Sequence, residues 1–127
     1  MKILLVDDEP DIRKIAQLSL TAVGNHHAVV AGTATEAIAT ALAERPDVII
    51  LDVMMPDTDG PATLIELRKH EALSAIPVVF MTAKAQRGEI ARYLALGAIG
   101  VITKPFDPMT LAIELERLVD AARRREE

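Results

Sequence analysis

Short apolar runs alternate five times with stretches in which apolar residues recur every three or four positions. Ile3-Leu4-Leu5-Val6, Val48-Ile49-Ile50-Leu51 and Val78-Val79-Phe80-Met81 are continuously apolar. That pattern suits strands buried on both faces of a parallel sheet rather than strands with one wet face. His27 to Ala31 and Ala98 to Thr103 are weaker runs of the same kind. Between them, Ile12, Ile15, Ala16, Leu20 and Val23 recur at helical spacing and Gly24 follows as a stop. Thr33-Ala34-Thr35-Glu36 reads as a capping box opening a second helix. Gly60-Pro61 opens a third, with Leu64, Ile65 and Leu67 inside it. Ile90, Tyr93 and Leu94 mark a short fourth that Gly97 ends. Asp107-Pro108 predicts an N-cap and first-turn proline for a fifth, whose stripe is Leu111, Leu115, Leu118, Val119 and Ala122. Regular strand–helix alternation predicts an α/β domain with right-handed crossovers and a covered parallel sheet.

Composition narrows the chemistry. The chain has 127 residues, 50% of them hydrophobic and 26% charged, enough for one core and too few for two domains. Residues 1–127 therefore read as a single domain. With no cysteine, disulfides, thiolate metal sites and cysteine nucleophiles are excluded. Aromatic residues are only Phe80, Tyr93 and Phe106, a poor basis for stacking on bases or sugars. A net charge of −5 argues against a nucleic-acid surface and favours cations. The apolar start meets Asp7-Asp8 too early for a signal peptide, and no run approaches a membrane span. The expectation is a cytoplasmic protein with no membrane partner.

Function in an open α/β sheet lies beyond the carboxyl ends of the strands. The first run ends in Asp7-Asp8, the third in Asp52, the fourth in Thr82-Ala83 and the fifth in Lys104-Pro105. Three carboxylates, a hydroxyl and an ammonium would then converge on one sheet edge. Carboxylates so placed repel one another unless a cation sits among them. Oxygen-only ligands point to a hard cation, Mg²⁺ first with Mn²⁺ as its substitute, completed by phosphate oxygens. A carboxylate can itself accept a phosphoryl group, and a cation, a lysine and a hydroxyl would orient the transferring oxygens.

Asp7-Asp8, Asp52, Thr82-Ala83 and Lys104-Pro105, at these spacings and strand ends, resemble the response regulator receiver domain of two-component signalling. The runs Ile3-Leu4-Leu5-Val6-Asp7-Asp8-Glu9, Leu51-Asp52-Val53-Met54-Met55-Pro56 and Thr103-Lys104-Pro105-Phe106 fit as well. The resemblance covers about residues 2–120, the core of the domain, and implies a flavodoxin-like sheet of order 2-1-3-4-5 with five helices. It implies Asp52 as the residue phosphorylated by a sensor histidine kinase or a histidine phosphotransfer protein. Asp8, Asp52 and the Met54 backbone carbonyl would hold Mg²⁺, with Asp7 acting through water. Lys104, the Thr82 hydroxyl and the Ala83 amide would contact the phosphoryl group. The Lys104–Pro105 peptide is often cis in the family. The surface of the fourth helix, fifth strand and fifth helix would signal to a downstream effector, the protein being a monomer or weak dimer.

The chain departs from the family in places. The aromatic switch residue of strand five is replaced by Val101, so Thr82 movement must be transmitted by repacking of the fourth helix and Val101. Gly97-Ala98-Ile99-Gly100 lacks the acids of the usual turn, which weakens transfer of a charged dimer face. Met54 and Lys84 occupy the positions that tune water access to the phosphoryl group, and a bulky Met54 predicts slow self-dephosphorylation. Alternatives are a receiver from a longer regulator with a DNA-binding or enzymatic output, for which Arg123-Arg124-Arg125 would begin a linker, and a Mg²⁺-dependent phosphatase. The latter lacks the second acid that haloacid-dehalogenase-like enzymes carry at the position of Met54. A partial EF-hand match around Asp57, Asp59 and Glu66 is interrupted by Pro56 and Pro61 and reads as a turn. His26, His27 and His70 read as surface residues without ligand partners.

Overall fold

A computed structural model of the chain describes residues 1–126. Its five strands are β1 (Lys2–Val6), β2 (His27–Ala31), β3 (Val48–Asp52), β4 (Val78–Thr82) and β5 (Gly100–Thr103). They pair in parallel in the order β2-β1-β3-β4-β5, the expected 2-1-3-4-5. The helices are α1 (Pro10–Leu18), α2 (Ala34–Glu44), α3 (Gly60–Arg68), α4 (Arg87–Ala95) and α5 (Leu111–Glu126).

The two faces of the sheet carry separate cores. Ile3, Leu5, Ile50, Val79, Met81 and Ile102 pack with Ala16 of α1 and with Leu111, Leu115 and Val119 of α5. Leu4, Val6, Ile49, Leu51, Val78 and Phe80 pack with Ala37 of α2, Leu64 of α3 and Tyr93 of α4. Alternate residues of each strand serve opposite faces, which is why β1, β3 and β4 are continuously apolar. All five residues of β3 and of β4 are buried.

Local chemistry accounts for most boundaries. The Thr33 hydroxyl caps α2 by accepting from the Glu36 amide at 3.1 Å. The Glu36 carboxylate reaches past the cap to the Gly32 amide at 2.9 Å, so the box closes one residue further out than its usual form. Asp59 caps α3 through the Ala62 amide at 2.8 Å, which is the work of the EF-hand-like segment. Pro10 and Pro61 occupy first-turn positions of α1 and α3.

The structure corrects several boundary expectations. The first helical segment changes after Leu18 into a π-helical turn, Ser19–Val23. Gly24 ends it with φ −85°, so it is not a left-handed stop. Its hydrogen side chain instead makes room for α5, because a Cβ there would lie 2.5 Å from that of Ala112. Helix α5 begins at Leu111 rather than at Pro108. The Asp107 carboxylate accepts from the Met109 amide at 2.8 Å, forming a separate turn before the helix. The last strand begins at Gly100, two residues after Ala98. His26 is not a surface residue: its side chain is 12% exposed, bonded to Glu116 at 2.7 Å and to the Met1 amine at 3.0 Å.

Candidate functional site

Parallel register brings the site together. Val6 pairs with Leu51, Asp52 with Met81 and Thr82 with Thr103, so the residues following β1, β4 and β5 emerge beside the end of β3. One carboxylate oxygen from each of Asp7, Asp8 and Asp52 lies within 4.8 Å of the others. Asp7 is fully buried, Asp52 is 4% exposed and Asp8 is half-buried. Lys104 closes the group from the far side of β4, with Nζ 2.7 Å from Asp7 Oδ2 and 3.3 Å from Asp52 Oδ1.

Charge burial dominates the electrostatics. Desolvation raises the Asp52 carboxyl from 3.8 to about 6, the Asp7 charge adds to the rise, and Lys104 and the Met54 amide oppose it. Burial pulls the Lys104 ammonium down, but hydrogen bonding and charge from Asp7 and Asp52 outweigh it and leave the pKa raised. One lysine thus serves two buried carboxylates and leaves the cluster with excess negative charge.

The backbone around these groups is tightly held. The Glu9 amide donates to Asp7 Oδ1 at 2.9 Å and the Asp7 amide to the Ala31 carbonyl at 3.1 Å. The Met54 amide leans on Asp52 Oδ1 at 3.3 Å. The Lys104 amide donates to the Thr82 carbonyl at 2.8 Å, and the Lys104–Pro105 peptide is cis. Gly60 lets α3 start against β3, since a Cβ there would lie 2.6 Å from the Asp52 carbonyl oxygen.

Thr82 stands at the same edge on the opposite strand face, 3% exposed, its hydroxyl accepting from the Lys84 amide at 3.1 Å. Ala83 and Lys84 are exposed beside it. Met54 is 69% exposed and flanks the mouth. Val101 is half-buried next to Phe80, its partner in the ladder, and lies away from the carboxylates. Arg13 was not anticipated: its Nη1 donates to the Asp7 carbonyl at 2.8 Å. A lone arginine in the second turn of a helix carries no sequence signal for such a contact.

The acidic group suits a hard divalent cation. Asp7 Oδ2 is buried, and the Lys104 ammonium at 2.7 Å is its one partner among the described residues. Lys104 offers one positive charge to three carboxylates, and a divalent cation suits the oxygen donors left over. Among the described residues this is the one cluster of three such groups.

Comparison with known proteins agrees with the geometry. The family model "Response regulator receiver domain" matches residues 3–116. The chain is 40% identical over 124 residues to a probable transcriptional regulator, ycf27, of Guillardia theta, covering 98% of this chain and 46% of that protein. It is 37% identical over 126 residues to the alkaline phosphatase synthesis transcriptional regulatory protein PhoP of Bacillus subtilis, covering 99% and 50%. The chain thus spans about half the length of these curated relatives. The solved structure of the Vibrio cholerae chemotaxis protein CheY4 superimposes with a TM-score of 0.85 at 32% identity, covering 92% of this chain and 97% of that one. Fold, acidic cluster and family match converge, and the chain belongs to the response regulator receiver domain family of two-component signalling, whose members are typically non-enzymatic phosphoacceptors partnered by histidine kinases.

Proposed function

We propose that this receiver accepts a phosphoryl group on Asp52 from a histidine kinase or phosphotransfer protein and passes the signal through its α4–β5–α5 surface. The observation that carries this reading is the convergence of Asp7, Asp8 and Asp52 on Lys104 at one strand edge.

In this mechanism an Asp52 oxygen attacks the phosphorus of the donor's phosphohistidine and the imidazole leaves as the P–N bond breaks, giving an acyl phosphate. Asp8, Asp52 and the Met54 carbonyl would hold Mg²⁺ in this reading, with Asp7 reaching it through water. When bound, the cation neutralises the carboxylates and the phosphoryl oxygens. Lys104 swings from its carboxylate partners to a phosphoryl oxygen. The Thr82 hydroxyl and the Ala83 amide orient the others. The added charge of roughly −1.5 to −2 then draws Thr82 inward and biases the β4–α4 segment.

Residues 1–127 act as one receiver unit in this reading, alone or joined to a DNA-binding or enzymatic output as in longer relatives. No helix of the described residues is long and apolar enough to cross a membrane.

Incubation with acetyl phosphate and Mg²⁺, read by intact mass, tests the proposal. One added phosphoryl group is expected, abolished by Asp52→Ala and by chelation. Catalytic turnover of a generic phosphoester would instead support a phosphatase.

A further inference from the structure

Arg13 projects from α1 across the end of β1. Its Nη1 donates to the Asp7 carbonyl at 2.8 Å, and no ion pair among the described residues involves it. The same guanidinium lies over Gly32 in the β2–α2 connection. A Cβ built on Gly32 would stand 2.8 Å from Arg13 Nη1 and 3.3 Å from its Cζ. Gly32 has no positive φ, so it is the space it leaves rather than its backbone freedom that matters here. The Gly32 amide is itself held by Glu36 at 2.9 Å. A cation on α1, a gap in the β2–α2 loop and a carbonyl at the acidic site therefore form one interlocked contact.

The carbonyl in question belongs to the peptide joining Asp7 to Asp8. Its plane sets the direction in which the Asp8 chain leaves and, with the Glu9 amide on Asp7 Oδ1, the angle between the two carboxylates. We propose that Arg13 is a positioning residue for the divalent-cation site, acting through the Asp7–Asp8 peptide, with Gly32 providing the space it occupies. This rests on the reading that the acidic cluster takes a divalent cation. Partners that orient metal ligands without touching the metal commonly control affinity by about tenfold or more.

Charge and positioning predict opposite signs. Removing a cation beside three carboxylates tightens divalent binding if only charge matters. Removing a clamp weakens it. Mn²⁺ binding to the full chain, followed by water-proton relaxation, separates them. Arg13→Ala is expected to weaken Mn²⁺ about tenfold. Gly32→Ala, whose methyl displaces only the far end of the Arg13 side chain, is expected to weaken it in the same direction. In the double variant the glycine change should add nothing. Phosphorylation by acetyl phosphate at saturating Mn²⁺ should stay within about twofold of wild type, because the nucleophile and Lys104 are untouched.

Unchanged or tighter Mn²⁺ binding in Arg13→Ala overturns the positioning role. Full additivity in the double variant overturns the role of Gly32. Failure of the wild-type chain to bind Mn²⁺ at all overturns instead the cation reading beneath it. Thermal unfolding of each variant identifies any that fail to fold, in which case Gly32→Ala alone decides.

Discussion

The ring of Tyr93 on α4 packs against that of Phe80 on β4, centroids 5.0 Å apart and planes tilted by 55°. Tyr93 is the one buried residue of α4, and Arg92 lies over its outer face at 5.5 Å. Phe80 stands one pleat from Thr82 on the same strand face. Helix α4 thus sends one buried side chain to the sheet, close to Thr82. Tyr93→Ala should cost about 3 kcal/mol by urea unfolding and raise amide exchange selectively in 87–96. Tyr93→Phe should keep both near wild type, since the ring carries the contact.

A phosphoryl mimic should move the β4–α4 segment without any aromatic swing in β5, where Val101 sits. The Thr82 hydroxyl accepts from the Lys84 amide at 3.1 Å, and a rotation of Thr82 toward a phosphoryl group would strain that bond. With beryllofluoride and Mg²⁺, amide resonances of 83–97 are expected to shift and the Lys84 amide to lose protection. Silence across that segment would refute transmission through α4.

Asp52 makes stability depend on pH in a defined direction. Its carboxyl is raised from 3.8 to about 6, chiefly by burial. Between those values the folded state binds more protons than the unfolded state, so stability falls as pH rises through the window. In chelator, Asp52→Asn should therefore unfold at higher temperature than wild type above about pH 6, by at most about 3 kcal/mol, and the gain should vanish near pH 4.

Lys104 pairs with two buried carboxylates, at 2.7 Å and 3.3 Å. Lys104→Met leaves Asp7 and Asp52 without it and should cost about 3 kcal/mol in chelator. Millimolar Mg²⁺ should recover part of the loss. Urea midpoints with and without Mg²⁺ measure both effects.

Met54 carries 69% of its surface exposed at the mouth of the site. Its bulk over the acyl phosphate should restrict the approach of water, so the phosphorylated form should persist for minutes or longer. Met54→Asn should shorten its lifetime several-fold in a phosphate-release assay. A wild-type lifetime of seconds, unchanged in the variant, would remove Met54 from this role.

Strand–helix alternation and most of the site residues were legible in the chain itself. Continuously apolar runs at Ile3, Val48 and Val78 require burial on both faces, and polar residues ending such runs must lie at one sheet edge. Which helix side chains then reach that edge was not legible. Periodicity identifies Tyr93 as an apolar helical position but not as the one buried residue of α4, and nothing local marks Arg13 as a partner of the Asp7 carbonyl. The same holds for His26, read as exposed and found between Met1 and Glu116, and for Gly24 and Gly32, whose missing Cβ atoms make room for residues far along the chain. Hydrophobic period and end-of-strand chemistry are properties of neighbouring residues, so the order of the elements and the acidic cluster at the strand ends could be read from the chain alone. Contacts between residues far apart in the chain depend on crossover and register, so the fold had to be seen before the Arg13 contact with the Asp7 carbonyl, the burial of the carboxylates and the packing of Tyr93 on Phe80 could be known.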